Sequence, residues 1–266
     1  IRGVNIDLYK GETVALVGES GSGKSVTMKA AMGILAKNAT VNSGSIQFSY
    51  HHADGSPETV DLLQKDKKWI RRHINGKRIA MVFQDPMTGT AADMQIAENL
   101  AIAARRGKGR TLRSGVSKKE KVQYAEMLKE LDLGLDTRLT SKVGLLSGGQ
   151  RQAVTLLMAT LKKPKVLLLD EHTAALDPKT AKKVLDLTEK IVARDHLTTI
   201  MITHNMKDAI AIGNRLIMMN EGKIIYDVSG EEKKKLTTKD LLDKFKVTSG
   251  EEFDNDRVLL STEAGE

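Results

Sequence analysis

Five short apolar runs constrain the fold of this chain more than any other feature. They are nearly continuous in hydrophobicity, and they read TVALVG at 13–18, RIAMVF at 78–83, KVLLLD at 165–170, TTIMIT at 198–203 and RLIMMN at 215–220. Continuous runs of this length are typical of strands buried on both faces, as in a parallel sheet covered by helices. Because helical stretches separate several of them, we predict an α/β fold with a mostly parallel sheet between helices.

Two regions interrupt this alternation of strands and helices. Residues 45–61 indicate two strands joined by a turn, which would form an antiparallel β addition to the core. Residues 88–143 instead carry helical patterns, which predict an inserted helical subdomain. The predicted units are one domain over 1–230, with an α/β core at 1–88 and 144–230 and helices at 89–143, and a short helix with a polar tail over 231–266.

The composition narrows the class of protein. Of the 266 residues, 40% are hydrophobic and 3% are aromatic, so the core must be largely aliphatic. Cysteine is absent, which excludes disulfides, thiolate metal sites and iron–sulfur clusters. No apolar run approaches the roughly 20 residues of a membrane-spanning helix and no signal peptide is evident, so we expect a cytoplasmic protein. The start at Ile1 suggests that an N-terminal piece has been trimmed.

The formal net charge is +8, and much of it lies in RRGKGRTLRSGVSKK at 105–119. This segment could form a patch for nucleic acid or anionic lipid, or it could be a solvated loop between two helices. We favour the loop, because no aromatic side chains alternate with the charges to stack on bases.

The sequence GESGSGKS at 18–25 matches the phosphate-binding pattern G-x-x-x-x-G-K-S, between a buried strand and a helix. Glycines let the backbone N–H groups turn toward phosphates, and the helix N-terminus adds positive partial charge. We predict that Lys24 contacts the β- and γ-phosphates of ATP and that Ser25 binds Mg²⁺. The predicted ATP-binding residues of this loop are Gly18, Glu19, Ser20, Gly21, Ser22, Gly23, Lys24 and Ser25.

Two carboxylates follow the buried run VLLLD, at Asp170 and Glu171. Asp170 is predicted to reach Mg²⁺ through water or through Ser25, since Mg²⁺ keeps most of its waters and needs few protein ligands. Glu171 is predicted to face the γ-phosphate and to orient or deprotonate the attacking water.

A second anion-binding loop lies in LLSGGQRQAV at 145–154, where serine and two glycines precede a helix. A nucleotide held by the first loop has one exposed face, at its γ-phosphate. Two copies arranged head to tail could each present this second loop to the other copy's ATP. The residues predicted to contact the partner's nucleotide are Ser147, Gly148, Gly149 and Gln150.

Five motifs therefore occur in one order: GESGSGKS, a glutamine in MVFQDP, LSGGQ, LLLDE and a histidine in MITHNM. In this order they resemble those of the nucleotide-binding subunit of an ABC transporter, over nearly the whole chain. The resemblance implies that Gln84 contacts Mg²⁺ and the attacking water, and that His204 contacts the γ-phosphate and holds Glu171. It also implies that Asp177 lies in a loop that crosses the dimer interface. The predicted catalytic residues are Lys24, Gln84, Glu171 and His204, and the predicted metal-binding residues are Ser25, Gln84 and Asp170.

The same resemblance implies the partners. The subunit would form an ATP-dependent dimer with itself or a second ABC subunit, attached to permease subunits at the inner face of the membrane. A substrate-binding protein would take part indirectly, and no specific nucleic acid is expected. The function predicted on this basis is ATP hydrolysis that drives an importer, with the cargo chosen by other chains.

The two parts of the chain resemble different importer groups. Residues to about 88 resemble the ATPases of oligopeptide and dipeptide importers. The remainder resembles the ATPase group that accompanies lipoprotein-type binding proteins, some linked to tryptophan or aromatic amino acids. The chain could therefore be a recombined or engineered chimera, or one natural subfamily that combines both sets of features.

Some positions depart from the family pattern. An aromatic residue that stacks on adenine usually precedes the first strand, but here Tyr9 lies in a strand-like NIDLYKG. His172 stands where proline is common and Ala174 where serine is usual. We expect His172 to be a tolerated loop residue whose charge modestly perturbs Glu171 near neutral pH. The pair at 51–52, both histidines, is expected to be exposed and not to bind metal, since no third ligand is evident.

Two alternatives to the importer hypothesis remain at this point. The basic charge is compatible with a soluble ABC ATPase that acts on nucleic acid or ribosomes, although such proteins usually carry tandem modules or a long coiled coil. An engineered chimeric ABC domain without a transport partner is also compatible with the motifs.

Overall fold

A six-stranded sheet forms the centre of the computed structural model, which describes residues 1–52, 54–107 and 115–249. The eight strands are β1 Thr13–Gly18, β2 Gln47–His51, β3 Pro57–Asp61, β4 Ile79–Val82, β5 Val166–Asp170, β6 Thr198–Ile202, β7 Arg215–Asn220 and β8 Lys223–Ser229. The order in the main sheet is β4–β5–β6–β1–β7–β8, in which the first five strands run parallel. Strand β8 pairs antiparallel with β7, and β2 and β3 form a separate antiparallel hairpin. The predicted fold class is confirmed.

Helices cover the sheet and fill the region between β4 and β5. Their bounds are α1 Lys24–Ala31, α2 Lys67–His73, α3 Ile96–Ala104, α4 Lys118–Lys129, α5 Gly148–Thr160, α6 Pro178–Asp195, α7 Met206–Ala211, α8 Gly230–Lys234 and α9 Thr238–Ser249. None of the described helices has the length and apolar character that crossing a membrane requires. The patterns missed α2, α7, α8 and β8, and residues 108–114 and 250–266 of the predicted loop and tail lie outside the described residues.

The apolar core lies on both faces of the sheet. Alternate residues of β1 serve the two faces: Val14 and Leu16 pack with α1 and the β2–β3 hairpin, whereas Ala15 and Val17 pack with α7 and α9. The largest cluster joins β4 and β5 to α3, α4, α5 and α6. Nearly continuous hydrophobicity in the strands follows from this arrangement, because both faces are covered.

The helical region between β4 and β5 is fixed at its start by one buried side chain. Asn99 of α3 is 1% exposed, accepts a hydrogen bond from the Ala91 N–H and donates to the Ala91 and Gln95 carbonyls. A capping box of Ser117 and Glu120 begins α4. The subdomain boundaries given above remain predictions.

The segment around Tyr9 was predicted to be strand-like, and this is wrong. The structure has no strand from residue 4 to residue 11. Instead, the Glu12 N–H donates to the Tyr9 carbonyl in a turn, and the Tyr9 N–H donates to the Glu12 carboxylate. Tyr9 itself is 65% exposed. Local hydrogen bonds of the turn have replaced sheet pairing here.

A buried lysine holds the C-terminal end of α7. Lys233 of α8 is 2% exposed, and its ammonium group donates to the carbonyls of Ile210, Ile212 and Gly213 at 2.7, 2.7 and 3.1 Å. Burial lowers the pKa of Lys233. These carbonyls have no helical partner at a helix end, and a cation there also interacts favourably with the helix dipole.

Replacing Lys233 with methionine is therefore expected to lower the free energy of unfolding by about 3 kcal/mol, because three carbonyls lose a buried, charged donor. Urea denaturation followed by circular dichroism measures this change. The control is Lys234→Met, since Lys234 is an exposed neighbour paired with Glu231, and it should change stability by less than about 0.5 kcal/mol. Equal effects of the two variants would contradict the structural role of Lys233.

Candidate active site

The loop between β1 and α1 has the backbone that a phosphate-binding loop requires. Gly21 and Gly23 have φ angles of 83° and 100°, which residues other than glycine rarely adopt. At Gly18, a Cβ atom would lie 2.1 Å from the Met219 carbonyl oxygen, so only glycine fits between β1 and β7. Helix α1 begins immediately afterwards, at Lys24. The predicted loop residues therefore form one turn at the N-terminus of a helix.

The Lys24 side chain lies within this loop. Its ammonium group donates to the carbonyls of Gly18 and Glu19, both at 2.7 Å, and to the Ser22 hydroxyl at 3.2 Å. Burial lowers the pKa of Lys24, while the carboxylates of Glu171 and Asp170 act in the opposite direction. The residues present fit a triphosphate, since a lysine ammonium and a glycine-rich loop lie together at the N-terminus of α1.

Ser25, in the first turn of α1, lies beside Asp170, the last residue of β5. The Ser25 hydroxyl donates to the Asp170 carboxylate at 2.5 Å, and the Lys29 ammonium lies 3.9 Å from the other carboxylate oxygen. A hydroxyl and one carboxylate fit Mg²⁺, a hard cation that takes oxygen ligands and retains water. In the described residues, no group of three or more His, Cys, Asp or Glu side chains could form an all-protein metal site.

Glu171 is held in a left-handed conformation, with φ of 48°, and its N–H donates to the Ile202 carbonyl. Its carboxylate lies 3.7 Å from the Nδ1 atom of His204, which follows the end of β6. Their interaction lowers the pKa of Glu171 and raises the pKa of His204. The structure thus brings these two predicted catalytic residues together, with Glu171 ionised at neutral pH.

Gln84 follows the end of β4 and is exposed. It begins a turn that Asp85 stabilises, because the Asp85 carboxylate accepts hydrogen bonds from the Met87 N–H and the Thr88 hydroxyl. Since β4 is parallel to β5 and adjacent to it, Gln84 lies at the same edge of the sheet as Asp170 and Glu171.

The second predicted anion loop begins α5. Ser147 is exposed, and its hydroxyl accepts from the Gln150 N–H in a capping box. Gly149 packs closely on α6, where an added Cβ would lie 2.0 Å from the Thr180 side chain. Asp177 caps α6 through the Thr180 N–H.

The N-termini of α5 and α6 therefore lie next to each other. Within the described residues, no hydrogen bond joins residues 147–150 to the loop at 18–25. The two predicted anion loops are thus separate features of one chain. A Cβ atom added at Gly148 would lie 3.3 Å from the Leu176 side chain, so Leu176 also lies close to the start of α5.

His172 differs from its prediction. It lies in the loop after β5, as predicted, but it is 1% exposed, and its Nε2 atom is 3.0 Å from the Thr188 hydroxyl of α6. Burial lowers the pKa of His172 to about 4. The expected charge near neutral pH is therefore wrong, because desolvation keeps the ring neutral.

A pH dependence of stability follows from this burial. The unfolded chain binds a proton at residue 172 below about pH 6.5. The folded chain does not bind that proton until pH falls to about 4. Stability is therefore lost as pH falls between these values, by about 2 kcal/mol at pH 5. Urea denaturation of the wild type and of His172→Gln at pH 7.5 and pH 5 measures this loss of stability. Between the two pH values, the wild type should lose about 2 kcal/mol more than the variant. Equal losses in the two proteins would contradict the low pKa of His172.

The paired histidines of β2 and the following turn are exposed, as predicted, and His52 lies 2.8 Å from the Glu58 carboxylate.

Two site residues were missed by the sequence reasoning. Lys29 approaches Asp170, and its position one turn after Ser25 on α1 was the available signal. Gln152 is a fully buried amide on α5, and a polar residue in a buried helix was the available signal.

Comparisons with known proteins agree with this geometry. A family model described as ABC transporter matches residues 1–174 of this chain. The chain belongs to the ABC transporter family. It is 39% identical to a tyrosine transport ATP-binding protein of Clostridioides difficile, over 91% of this chain and 89% of that protein. As an ABC cassette of the transport ATPase type, it binds and hydrolyses ATP.

The chain is also similar to ATP-binding proteins of peptide importers. The dipeptide transport ATP-binding protein DppD of Bacillus subtilis is 35% identical over 84% of this chain, which spans 63% of that protein's length. A solved dimeric structure of the ATP-binding cassette MJ0796, in a post-hydrolysis state with ADP and Pi, superimposes with a TM-score of 0.67 and 25% identity. It covers 86% of this chain, and this chain covers 90% of it. Both kinds of relative align across most of the chain, so the difference between its two parts stays a prediction.

Proposed function

We propose that this protein powers an ABC importer as a head-to-tail dimer, with ATP bound between the two subunits. The observation that carries the proposal is the exposed N-terminus of α5, where Ser147 faces solvent and makes no hydrogen bond to the loop at 18–25 of its own chain. An anion-binding helix end of this kind complements the exposed γ-phosphate on a second copy. The dimeric state of the MJ0796 cassette supports a dimer for this chain as well.

Hydrolysis in this proposal depends on positioning and electrostatics. Lys24 exchanges its loop carbonyls for β- and γ-phosphate oxygens, and Glu171, ionised because of His204, accepts a proton from water or orients it. His204 also contacts the γ-phosphate, and Gln84 contacts the water from the β4 edge. Mg²⁺, held by Ser25, Asp170 and Gln84, would supply positive charge that neutralises the phosphates.

The chain would assemble with permease subunits at the cytoplasmic face of the membrane, and with a binding protein only through them. Relatives named for tyrosine and dipeptide transport support an amino-acid or peptide importer. We also propose that the helices at 89–143 act as a subdomain separate from the core at 1–88 and 144–230, with residues 231–266 as a C-terminal extension. The proposed pairing with a lipoprotein-type binding protein rests on the sequence after residue 88.

The test of the shared site is ATPase activity measured against protein concentration. Two-subunit sites predict that specific activity rises with concentration and then reaches a plateau, as the dimer forms. Bovine serum albumin added to the same total protein concentration controls for non-specific loss. Specific activity that stays constant down to concentrations at which light scattering detects only monomer would overturn the proposal.

A further inference from the structure

Gln152 lies next to the candidate catalytic loops and does not face solvent. It is in the second turn of α5, five residues after Ser147, and its side chain is completely buried. A buried primary amide must be hydrogen-bonded to be tolerated, so its partners indicate what holds it there.

Both donors of this amide are directed at backbone of the candidate catalytic loops. The Nε2 atom of Gln152 donates to the Phe83 carbonyl at 3.0 Å and to the His172 carbonyl at 2.7 Å. Phe83 immediately precedes Gln84, and His172 immediately follows Glu171. One side chain therefore joins the peptides next to two proposed catalytic residues, which come from different strands.

The orientation of the amide is fixed by its surroundings. The flipped amide would direct its oxygen at two carbonyl oxygens and would accept nothing, so the N–H₂ group must face the loops. In this orientation the Oε1 atom of Gln152 is buried and has no partner. Leaving a buried acceptor unpaired costs stability, and such costs are concentrated at functional sites.

The residue after Glu171 is held from a second direction as well. The ring of His172 contacts the Thr188 hydroxyl, which donates to the Val184 carbonyl within α6. Helices α5 and α6 touch at their N-termini through Gly149 and Thr180. The backbone that carries Glu171 is thus connected to both helices that begin at the proposed dimer interface.

We propose that Gln152 is a positioning residue. It couples the contact between Ser147 and the partner's nucleotide to the positions of Gln84 and Glu171. The inference rests on the proposed function. A shift of α5 on dimer closure would move the Phe83 and His172 peptides with it, since both are bound to the same side chain. Hydrolysis would then be fast only when the partner's nucleotide has positioned α5.

The test compares Gln152→Met with Thr160→Val in the purified protein. Methionine has a similar size but no donor, so the turnover number should fall on the order of ten- to a hundredfold, as small misplacements of catalytic groups do. The KM for ATP should change by less than about twofold, since the loop at 18–25 is untouched. Thr160 is also buried on α5, and its hydroxyl donates to the α5 carbonyls of Leu156 and Leu157, so Thr160→Val should keep the wild-type turnover number.

A double-mutant cycle separates positioning from simple loss of stability. If Gln152 acts through Gln84, the effect of Gln152→Met should be much smaller in a Gln84→Ala background than in wild type. Equal effects in both backgrounds, or a wild-type turnover number for folded Gln152→Met, would overturn the inference and leave the proposed function standing. If methionine prevents folding, Gln152→Asn takes its place, because the shorter amide cannot reach both carbonyls. Absence of ATP hydrolysis by the wild-type dimer would overturn the proposed function and the inference with it.

Discussion

Glu171→Gln should reduce ATP turnover on the order of a thousandfold, while ATP binding is retained. The amide keeps the shape of the side chain but cannot accept a proton from water. It also loses the negative charge that pairs with His204 at 3.7 Å. Because ATP then persists at the interface, the variant should accumulate as an ATP-dependent dimer. Steady-state phosphate release and size-exclusion chromatography with and without ATP measure the two effects.

The matched control for this change is Glu221→Gln. Glu221 is also a glutamate with a left-handed backbone, at φ of 46°, but it lies in the exposed turn between β7 and β8. It should keep wild-type turnover and remain as monomeric as the wild type after hydrolysis. Normal steady-state turnover of Glu171→Gln would show that another group handles the water, and the assigned role of Glu171 would have to be abandoned.

Ser147→Arg is the second substitution with a large expected effect. The bulky cation at the start of α5 would occupy the space in which the partner's γ-phosphate binds, and it removes the hydroxyl that caps the helix. Turnover should fall at least about a hundredfold, as it does when a transition-state donor is removed. ATP affinity of the isolated subunit, measured by fluorescence titration at low protein concentration, should be unchanged.

Ser117→Arg is a control that distinguishes loss of the contact with the partner's nucleotide from loss of the helix cap. Ser117 begins α4 through the same capping box, with Glu120 in the place of Gln150. Both arginine variants should therefore lose about 1 kcal/mol of stability from the cap, but only the variant at 147 should lose turnover. A monomer of Ser147→Arg with undiminished activity would refute the shared site.

The parallel strands were predictable because burial on both faces leaves a run of apolar residues that polar positions do not interrupt. Strand β8 lacked this signal, since it lies at the sheet edge and KIIYDVS has mostly half-buried or exposed positions. Helix α7 was missed because six residues are too few to establish a helical period. The strand predicted around Tyr9 was wrong because the local sequence has a strand-like pattern but the chain forms a turn there.

The position of the candidate site residues at one edge of the sheet was also predictable. Carboxyl ends of adjacent parallel strands meet at one edge, so Asp170, Glu171, Gln84 and His204 could be expected to lie together. Two features could not be foreseen from the sequence. His172 is buried by α6, which is distant in the sequence, and Gln152 is explained by carbonyls of two loops whose approach depends on the tertiary structure.

The left-handed backbone conformation of Glu171 lowers the stability of the fold at a residue with a proposed catalytic role. A non-glycine residue in this conformation costs on the order of 1 kcal/mol, a strain that glycine would not carry. Selection for stability alone would therefore favour glycine at this position, whereas the proposed role of Glu171 in turnover would favour the glutamate. In lineages released from the need to hydrolyse ATP, this position should be among the first to drift, with glycine and asparagine as the favoured replacements.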